Sequence, residues 1–487
     1  MQPNILWITT DQQRYDTIHA LGNEHINTPN LDRLCAEGTA FKHACSQSPI
    51  CTPSRTSFLT GLYPDTIHAN INGNDYFPES ERVKLITRRL ADAGYDCGLS
   101  GKLHIASAWN GVEKRCDDGY SRFWYSHGPL QGHGARANRY MAWVEEQGMF
   151  DRVFAEQAVP DPNRPRPSGV DTKRYSYQPD IPAKYHQTTW CCDRAIEFMN
   201  EKREGPWLMS VNIFDPHPPF DAPKSYTERY NPEDLPPPLF RETDLQVQAR
   251  LKTHIFQSIS GKPGPAQRKN KASYYGMIEL IDENVGRILD ELERTGQREN
   301  TVVIFTSDHG EMLGDHGLTL KGCRFYEGAV RVPLIVSCPG QFQAGRVCDA
   351  LVELTDIAPT LAELGGIDLL WTQGRSLLPI LTGSDPDFAP HEYVRCEFYD
   401  TIDMHAPDAP EKHVPSFATM YRDARWKLCV YHGNEYGELY DLENDPDEFK
   451  NLWDDPASQG CKCTLLKRSF DAAMCATDPG PERIGRY

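Results

Sequence analysis

The string Cys51-Thr52-Pro53-Ser54-Arg55, followed by Gly61, combines a thiol with a guanidinium. Its proline and glycine suit the first turn and the end of a helix, so it predicts a short helix that begins after Cys51 and has Thr52 as its N-cap. Free N–H groups and the helix dipole at such a terminus attract an anion and lower a thiol pKa. Arg55 adds a planar fork for two oxygens of an oxyanion. The segment therefore predicts a nucleophile beside an anion site.

Polar side chains also follow four apolar segments that predict buried strands. The segments and their polar successors are 4–10 with Asp11, 95–100 with Lys102 and His104, 207–214 with His217, and 301–307 with Asp308 and His309. In open α/β sheets, ligands bind beyond the carboxyl ends of the strands. We therefore expect these side chains to converge at one edge of the sheet, joined there by Cys51 and Arg55.

Asp11, Asp308 and His309 belong to residue types that hold a divalent metal. Carboxylates suit Ca²⁺ or Mg²⁺, and the imidazole leaves Mn²⁺ open. Taken singly, Asp11 would be interpreted as a cap or turn residue and His309 as a strand-end histidine bonded to backbone. The cationic side chains predicted near them are Arg55, Lys102 and Lys321. With the metal, these charges outweigh the carboxylates, so the pocket can hold a sulfate or phosphate group although the chain carries a net charge of −18.

Strand-like and helical segments alternate up to about residue 375, and Met277, Ile281 and Val285 keep helical spacing within a predicted helix 273–294. This predicts an α/β fold for residues 1–375, with a large, mostly parallel sheet flanked by helices on both faces. Short strands near 391–399, 417–421, 427–431 and 438–442, with a helix near 461–474, predict a smaller C-terminal antiparallel sheet with a helix. We expect this second domain to span residues 376–487.

The composition excludes several classes of partner. A net charge of −18 argues against nucleic acid and anionic membranes, and no apolar run approaches the roughly 18 residues of a membrane span. The N-terminus enters a strand-like run without a signal peptide pattern, and the fifteen cysteines form neither a disulfide framework nor a zinc pattern. We expect a cytoplasmic protein, or a periplasmic one if a signal segment has been trimmed.

The string at Cys51 resembles the C-x-P-x-R signature of the bacterial formylglycine-dependent (type I) sulfatases of the alkaline phosphatase superfamily. In that family a formylglycine-generating enzyme oxidises the cysteine to an aldehyde. Other segments resemble further sulfatase motifs in the same order along the chain. These segments are 101–104, 307–310, 314–317 with Lys321, and 355–361. The resemblance covers most of residues 4–365 and implies hydrolysis of a sulfate monoester.

The resemblance implies one divalent metal, Ca²⁺ first and Mg²⁺ or Mn²⁺ as alternatives. Cys51, as hydrated formylglycine, would be both nucleophile and metal ligand, beside Asp11, Asp308 and His309. Many sulfatases have two consecutive aspartates after the first strand, and here the second is Gln12. Its carbonyl can still bind Ca²⁺ but removes one negative charge. Choline sulfatases and phosphonate monoester hydrolases resemble the chain at this point.

The remaining implied roles concern charge and protons. Arg55 steadies the aldehyde hydrate, and Lys102 and His104 contact the hydrate and the sulfate. His104 takes the proton that expels sulfate, while His217 and Lys321 face the bridging oxygen and help the alcohol leave.

The substrate would be a small-molecule or saccharide sulfate ester. Asn72, beyond the Cys51 helix, is either a contact to substrate oxygens or a turn residue, and the specificity loops are expected in 65–80, 110–185 and 221–270. One alternative is phosphonate or phosphate ester hydrolysis on the same fold, against which Lys102 and His104 argue. Another is a catalytically silent binder of sulfated ligands, against which the filled catalytic positions argue.

Overall fold

A computed structural model defines the fold over most of the chain. The residues it describes are 2–80, 83–108, 112–128, 138–154, 181–251, 258–259, 261–369, 371–385, 387–400, 416–478, 480 and 485. The strands are β1 (Asn4–Thr10), β2 (Thr39–Cys45), β3 (Asp96–Gly101), β4 (Arg122–Tyr125), β5 (Trp207–Asn212), β6 (Ser258–Ile259), β7 (Thr301–Ser307), β8 (Leu318–Thr319), β9 (Arg331–Val332), β10 (Leu334–Ser337), β11 (Arg346–Glu353), β12 (Val394–Asp400), β13 (Ser416–Arg422), β14 (Trp426–Tyr431) and β15 (Gly437–Asp441).

Helices cover both faces of the larger sheet and one face of the smaller. They are α1 (Pro29–Ala36), α2 (Cys51–Thr60), α3 (Pro64–Ile67), α4 (Ile86–Asp92), α5 (Arg139–Glu146), α6 (Phe150–Phe154), α7 (Gln187–Met199), α8 (Lys224–Thr227), α9 (Asp244–Ala249), α10 (Pro265–Arg294), α11 (Glu327–Val330), α12 (Ile357–Gly365), α13 (Leu378–Thr382) and α14 (Gln459–Cys475).

The large sheet has nine strands in the order β11-β2-β10-β7-β1-β5-β3-β4, with β9 paired to β2. Strand β1 lies between β7 and β5 and is parallel to both, whereas β10 runs antiparallel to β7 and β2. Alternate residues of β1 enter different cores: Trp7 packs on the side of α2, α4 and α12, and Leu6 on the side of α1, α7 and α10. A strand buried on both faces is typical of a parallel sheet between helices, so the predicted fold class is confirmed.

One helix begins earlier than predicted, because polar residues in its first turns hide the helical pattern. Helix α10 begins at Pro265 rather than 273, with Gly264 as its N-cap. Its first two turns carry Gln, Arg, Lys and Asn, so the apolar stripe that indicates a helix is absent there.

Strands β12 to β15 form an antiparallel sheet in chain order. Helix α14 covers one face, where Leu465 packs with Leu428 and Leu439. The other face packs on residues that follow β8, and the buried Lys427 Nζ lies 3.0 Å from Glu327 Oε1 across that contact. The boundary at residue 375 stays a prediction. Within the described residues, none of the helices combines the length and apolarity needed to cross a membrane.

Candidate active site

The central strands β7, β1, β5 and β3 end side by side, so the polar residues that follow them share one edge of the sheet. The backbone ladder continues past the strand ends: Asp308 N donates to Thr10 O over 3.2 Å and Lys102 N donates to Asn212 O over 2.9 Å. Gly101 permits this approach, because it has φ +101° and a Cβ there would lie 1.9 Å from Asn212 O. The expected convergence is therefore observed.

Helix α2 carries Cys51 as its first residue, and its N-cap is Ile50, so the prediction of Thr52 as the cap was wrong. The N-terminal donor is satisfied from a distant segment instead: Thr52 N donates to Asn72 Oδ1 over 2.8 Å. The helix ends at Gly61, with φ +76°, as expected. This contact gives Asn72 a helix-capping role, and its contact to substrate stays a prediction.

The Cys51 thiol lies where the polar groups meet. Its Sγ is 3.0 Å from Lys321 Nζ, 3.2 Å from His309 Nε2 and 3.7 Å from Asp11 Oδ1. Burial and Asp11 oppose ionisation, but Lys102, Lys321 and His309 outweigh them and lower the pKa of Cys51 to about 7. The position favours a nucleophile that carries negative charge.

Arg55 is fully buried and cross-links the two carboxylates. Its Nε donates to Asp308 Oδ2 over 2.8 Å, one Nη donates to Asp11 Oδ2 over 3.3 Å, and the other donates to Lys102 O over 2.9 Å. The guanidinium of Arg55 therefore binds the two aspartates. The expectation that it would bind two oxygens of an oxyanion was wrong. Burial opposes the charge of Asp11, yet Lys102 and the neighbouring cations hold the pKa of that carboxyl well below its usual range.

The residues present fit a divalent cation. Each aspartate places one oxygen on Arg55 and turns the other toward His309 Nε2, at 3.6 Å for Asp308 Oδ1 and 3.9 Å for Asp11 Oδ1. His309 Nδ1 lies 2.9 Å from Gly310 O, which can only accept, so Nδ1 carries a proton. Nε2 faces the aspartates and would give its lone pair to a bound cation. With Cys51 Sγ, these ligand atoms all lie within 4.8 Å of one another.

Gln12 lies beside these four ligand residues, and its side-chain oxygen is bound to the ammonium group of Lys321. Its Oε1 accepts from Lys321 Nζ over 2.7 Å, and its Nε2 donates to Glu311. Its backbone has φ +72° and is held by Tyr274, whose hydroxyl donates to Gln12 O over 2.6 Å. Metal ligation by Gln12 stays a prediction, since that oxygen would have to leave Lys321.

Lys102 and His104 lie on the β3 side of the site. Lys102 Nζ donates to Asp11 Oδ2. The ring of His104 is 4.5 Å from that of His127, and its Nδ1 has no hydrogen-bond partner among the described residues. Burial and Lys102 hold the pKa of His104 well below its usual value, so the imidazole is neutral and able to accept a proton.

His217 lies after β5, with its ring 4.6 Å from that of Phe214. Its Nδ1 is 2.6 Å from Pro218 O and therefore carries the proton, which leaves Nε2 as an acceptor while the ring is neutral. Burial and Lys321 hold the pKa of His217 well below its usual value. Burial opposes the charge of Lys321, but Cys51 and Asp11 raise its pKa, so Lys321 is the charged donor.

Known protein families match most of the chain. The family profile described as "Sulfatase" matches residues 3–367, and that described as "N-sulphoglucosamine sulphohydrolase, C-terminal" matches residues 314–473. The chain belongs to the sulfatase family. Hydrolysis of a sulfate monoester is therefore its reaction, and the predicted class of enzyme is confirmed.

Individual relatives cover nearly the whole sulfatase chain. An arylsulfatase of Clostridium perfringens is 29% identical, with 93% of this chain and 90% of the relative aligned. A choline-sulfatase of Rhizobium meliloti is 28% identical, with 97% and 89% aligned. The crystal structure of a phosphonate monoester hydrolase of Agrobacterium radiobacter superimposes with a TM-score of 0.81 at 25% identity, covering 98% of this chain and 96% of that one.

A second buried cluster in this sulfatase lies behind the His217 loop and was not predicted. His186 Nδ1 is 3.4 Å from Asp215 Oδ2, and its Nε2 is 3.7 Å from Asp221 Oδ1. The carboxylates face opposite ring nitrogens, and Nδ1 also accepts the N–H of Thr188 over 3.4 Å. Burial opposes a positive charge on His186, but Asp215 and Asp221 raise its pKa to about 9. The cluster ties together the two ends of the loop that carries His217.

Proposed function

We propose that sulfate ester hydrolysis takes place at Cys51 after a formylglycine-generating enzyme has converted it to formylglycine. One observation carries this proposal: Cys51 Sγ lies within 3.7 Å of Lys321, His309 and Asp11, on the first residue of a helix. A group at this position faces positive charge on one side and the metal-type ligands on the other. That is the environment that a nucleophile needs to meet a sulfate anion.

Asp11, Asp308, His309 and residue 51 would hold the divalent cation, and Ca²⁺ is the first choice because oxygen ligands predominate. When bound, the cation supplies Lewis-acid polarisation of the sulfate oxygens and of the hydroxyl at residue 51. Arg55 keeps the two aspartates in place, since it bonds one oxygen of each. The same pairing leaves the second oxygen of each aspartate for the cation.

The first step transfers the sulfuryl group to a hydroxyl of the hydrated aldehyde at residue 51. The new oxygen–sulfur bond forms as the ester oxygen–sulfur bond breaks. The attacking hydroxyl loses one proton and the alcohol leaves with one, so the number of protons is unchanged. Lys321 is the charged donor near that oxygen. His217 can donate from Nε2 only after it takes up a proton, which the binding of an anionic substrate favours. Both side chains thus serve the leaving group.

The second step releases sulfate and needs a base. His104 removes the proton of the other hydroxyl at residue 51, the carbon–oxygen bond to sulfate breaks with its electrons on sulfate, and the aldehyde forms again. Water then hydrates the aldehyde. A neutral His104 with an open Nδ1 suits this role, and Lys102 offers charge to the departing sulfate oxygens.

The alcohol of the substrate is assigned only as a small molecule or a saccharide. The loops predicted to select it lie partly outside the described residues, at 110–111, 129–137, 155–180, 252–257 and 260. Asn72, next to the start of α2, is the substrate contact that we propose. The cytoplasmic location remains a prediction from the sequence.

Phosphonate ester hydrolysis is the second candidate, because the A. radiobacter structure of that name superimposes with a TM-score of 0.81. The test is parallel kcat/KM measurement on nitrophenyl sulfate and on a nitrophenyl phosphonate, with mass spectrometry of the peptide that contains Cys51. We expect formylglycine and a preference for the sulfate. A preference for the phosphonate, or full activity with unmodified Cys51, would contradict the proposal.

A further inference from the structure

The carboxylate of Glu113 lies beneath the loop that presents His104. It accepts hydrogen bonds from three consecutive backbone N–H groups: His104 N at 2.6 Å, Ile105 N at 2.5 Å and Ala106 N at 2.8 Å. Glu113 itself is 2% exposed. Successive N–H groups that converge in this way form a concave anion site in the backbone. Here the anion is a side chain of the same protein.

This arrangement holds a backbone conformation that is otherwise unfavourable. His104 has φ +55°, in the left-handed region that non-glycine residues rarely adopt. Such a conformation is strained and persists only where surrounding contacts enforce it. The carboxyl group supplies that enforcement, because relaxing the turn would leave three buried backbone N–H groups without their acceptor.

The Glu113 side chain makes no ion pair among the described residues, so backbone dipoles alone contact its carboxylate at hydrogen-bond distance. Burial raises the pKa of Glu113 to about 7, although the three N–H groups oppose that shift. His104 lies three residues after Gly101, in the turn whose backbone N–H groups Glu113 binds.

We propose that Glu113 is a positioning residue that aims His104 at the hydroxyl of residue 51 from which it removes a proton. The proposal rests on the role given to His104 in the proposed function. It does not assign Glu113 any contact with substrate. Its action passes through the turn 104–106, whose N–H groups it gathers.

Two substitutions remove this support to different extents. Glu113→Gln keeps the shape but replaces one acceptor oxygen by a donor that faces N–H groups, and Glu113→Ala removes both acceptors. Misplacing a reacting group by about 1 Å costs about 10²-fold. We therefore expect kcat on nitrophenyl sulfate to fall about 10–100-fold in Glu113→Gln, with KM falling as well, because the step after phenol release becomes slow. A pre-steady-state burst of nitrophenol should appear.

The matched control is Asp118→Asn on the same segment. Asp118 is also buried, at 1% exposure, and caps Tyr120 N at 2.9 Å, without any described contact to 104–106. We expect it to lose stability but to show no burst and no fall in KM. Melting temperatures of both variants separate loss of folded protein from loss of rate.

A double-mutant cycle with His104→Ala decides the matter. We expect Glu113→Gln to cost less than about twofold in the His104→Ala background, because the residue that it positions is gone. Equal losses in both backgrounds, or a Glu113→Gln variant with wild-type kcat, would overturn the positioning role alone. Wild-type turnover by His104→Ala would overturn the role of His104 itself and this inference with it.

Discussion

Replacing Asp308 by alanine should remove the metal and with it turnover. Asp308 Oδ1 faces His309 Nε2 at 3.6 Å, and its Oδ2 bonds Arg55 Nε at 2.8 Å. Two unit charges about 4 Å apart interact by about 4 kcal/mol at an effective dielectric constant of 20, and a divalent ion doubles this to about 8 kcal/mol. If relaxation and water recover half, about 4 kcal/mol remains, or about a thousandfold in the Kd for the metal.

The same substitution leaves Arg55 with Asp11 as its one ionic partner among the described residues, so lost stability has to be separated from lost metal. Asp315→Ala is the matched control, because Asp315 is a buried partner of Arg14 at 2.8 Å and Arg14 keeps Asp16 at 2.7 Å. Metal content after dialysis and the Kd from titration are measured in both variants. If the Asp308→Ala variant is folded and retains metal near the wild-type level, the assignment of Asp308 as a metal ligand is refuted.

Three further outcomes are expected. His217→Ala should slow esters with poor leaving groups about 10²–10⁴-fold more than nitrophenyl sulfate, because an alkoxide needs a proton to leave; equal losses on both would instead place His217 on the sulfate. Cys51→Ser should be inactive or stop as a sulfated enzyme, since serine lacks the second hydroxyl; sustained turnover by the pure variant would count against the formylglycine route. His391 Nε2 lies 2.8 Å from Asp356 Oδ1, and although burial opposes the charge, Asp356 raises the pKa of His391 from 6.5 to about 9. Because the folded pKa is raised, this pair should contribute up to about 3 kcal/mol below pH 6.5 and lose it as the pH rises through 9. Urea unfolding of wild type and His391→Asn at several pH values measures this, and a constant difference between the two would contradict it.

Glycine marked the end of α2 correctly, whereas proline did not locate the helix starts: α2 was predicted to begin after Thr52, and α10 at 273 rather than at Pro265. Gly61 ends α2 with φ +76°, and Gly264-Pro265 starts α10 even though no apolar pattern marks its first turns. The prediction failed at the start of α2, where a side chain 20 residues away supplies the cap. A cap from a distant segment leaves no trace in the local sequence.

The sequence by itself determined the succession of strands along the chain and the polar residues that follow them. Apolar segments such as 301–307 are buried for their hydrophobicity alone. Polar residues such as Asp11 and Asp308 come directly after these segments. Parallel strands then bring their carboxyl ends to one edge. The candidate nucleophile, the metal ligands and the cations could therefore be named before any coordinate was known.

Only the tertiary structure decided which polar group pairs with which. Arg55 bonds Asp308, which is 253 residues away, rather than an oxyanion, and Glu113 lies in a segment without periodicity yet holds the turn at His104. Hydrogen bonds are short and directional, so a partner is chosen by positions accurate to a fraction of an ångström. Those positions come from the packing of whole strands and helices, whereas sequence patterns report only on neighbours along the chain.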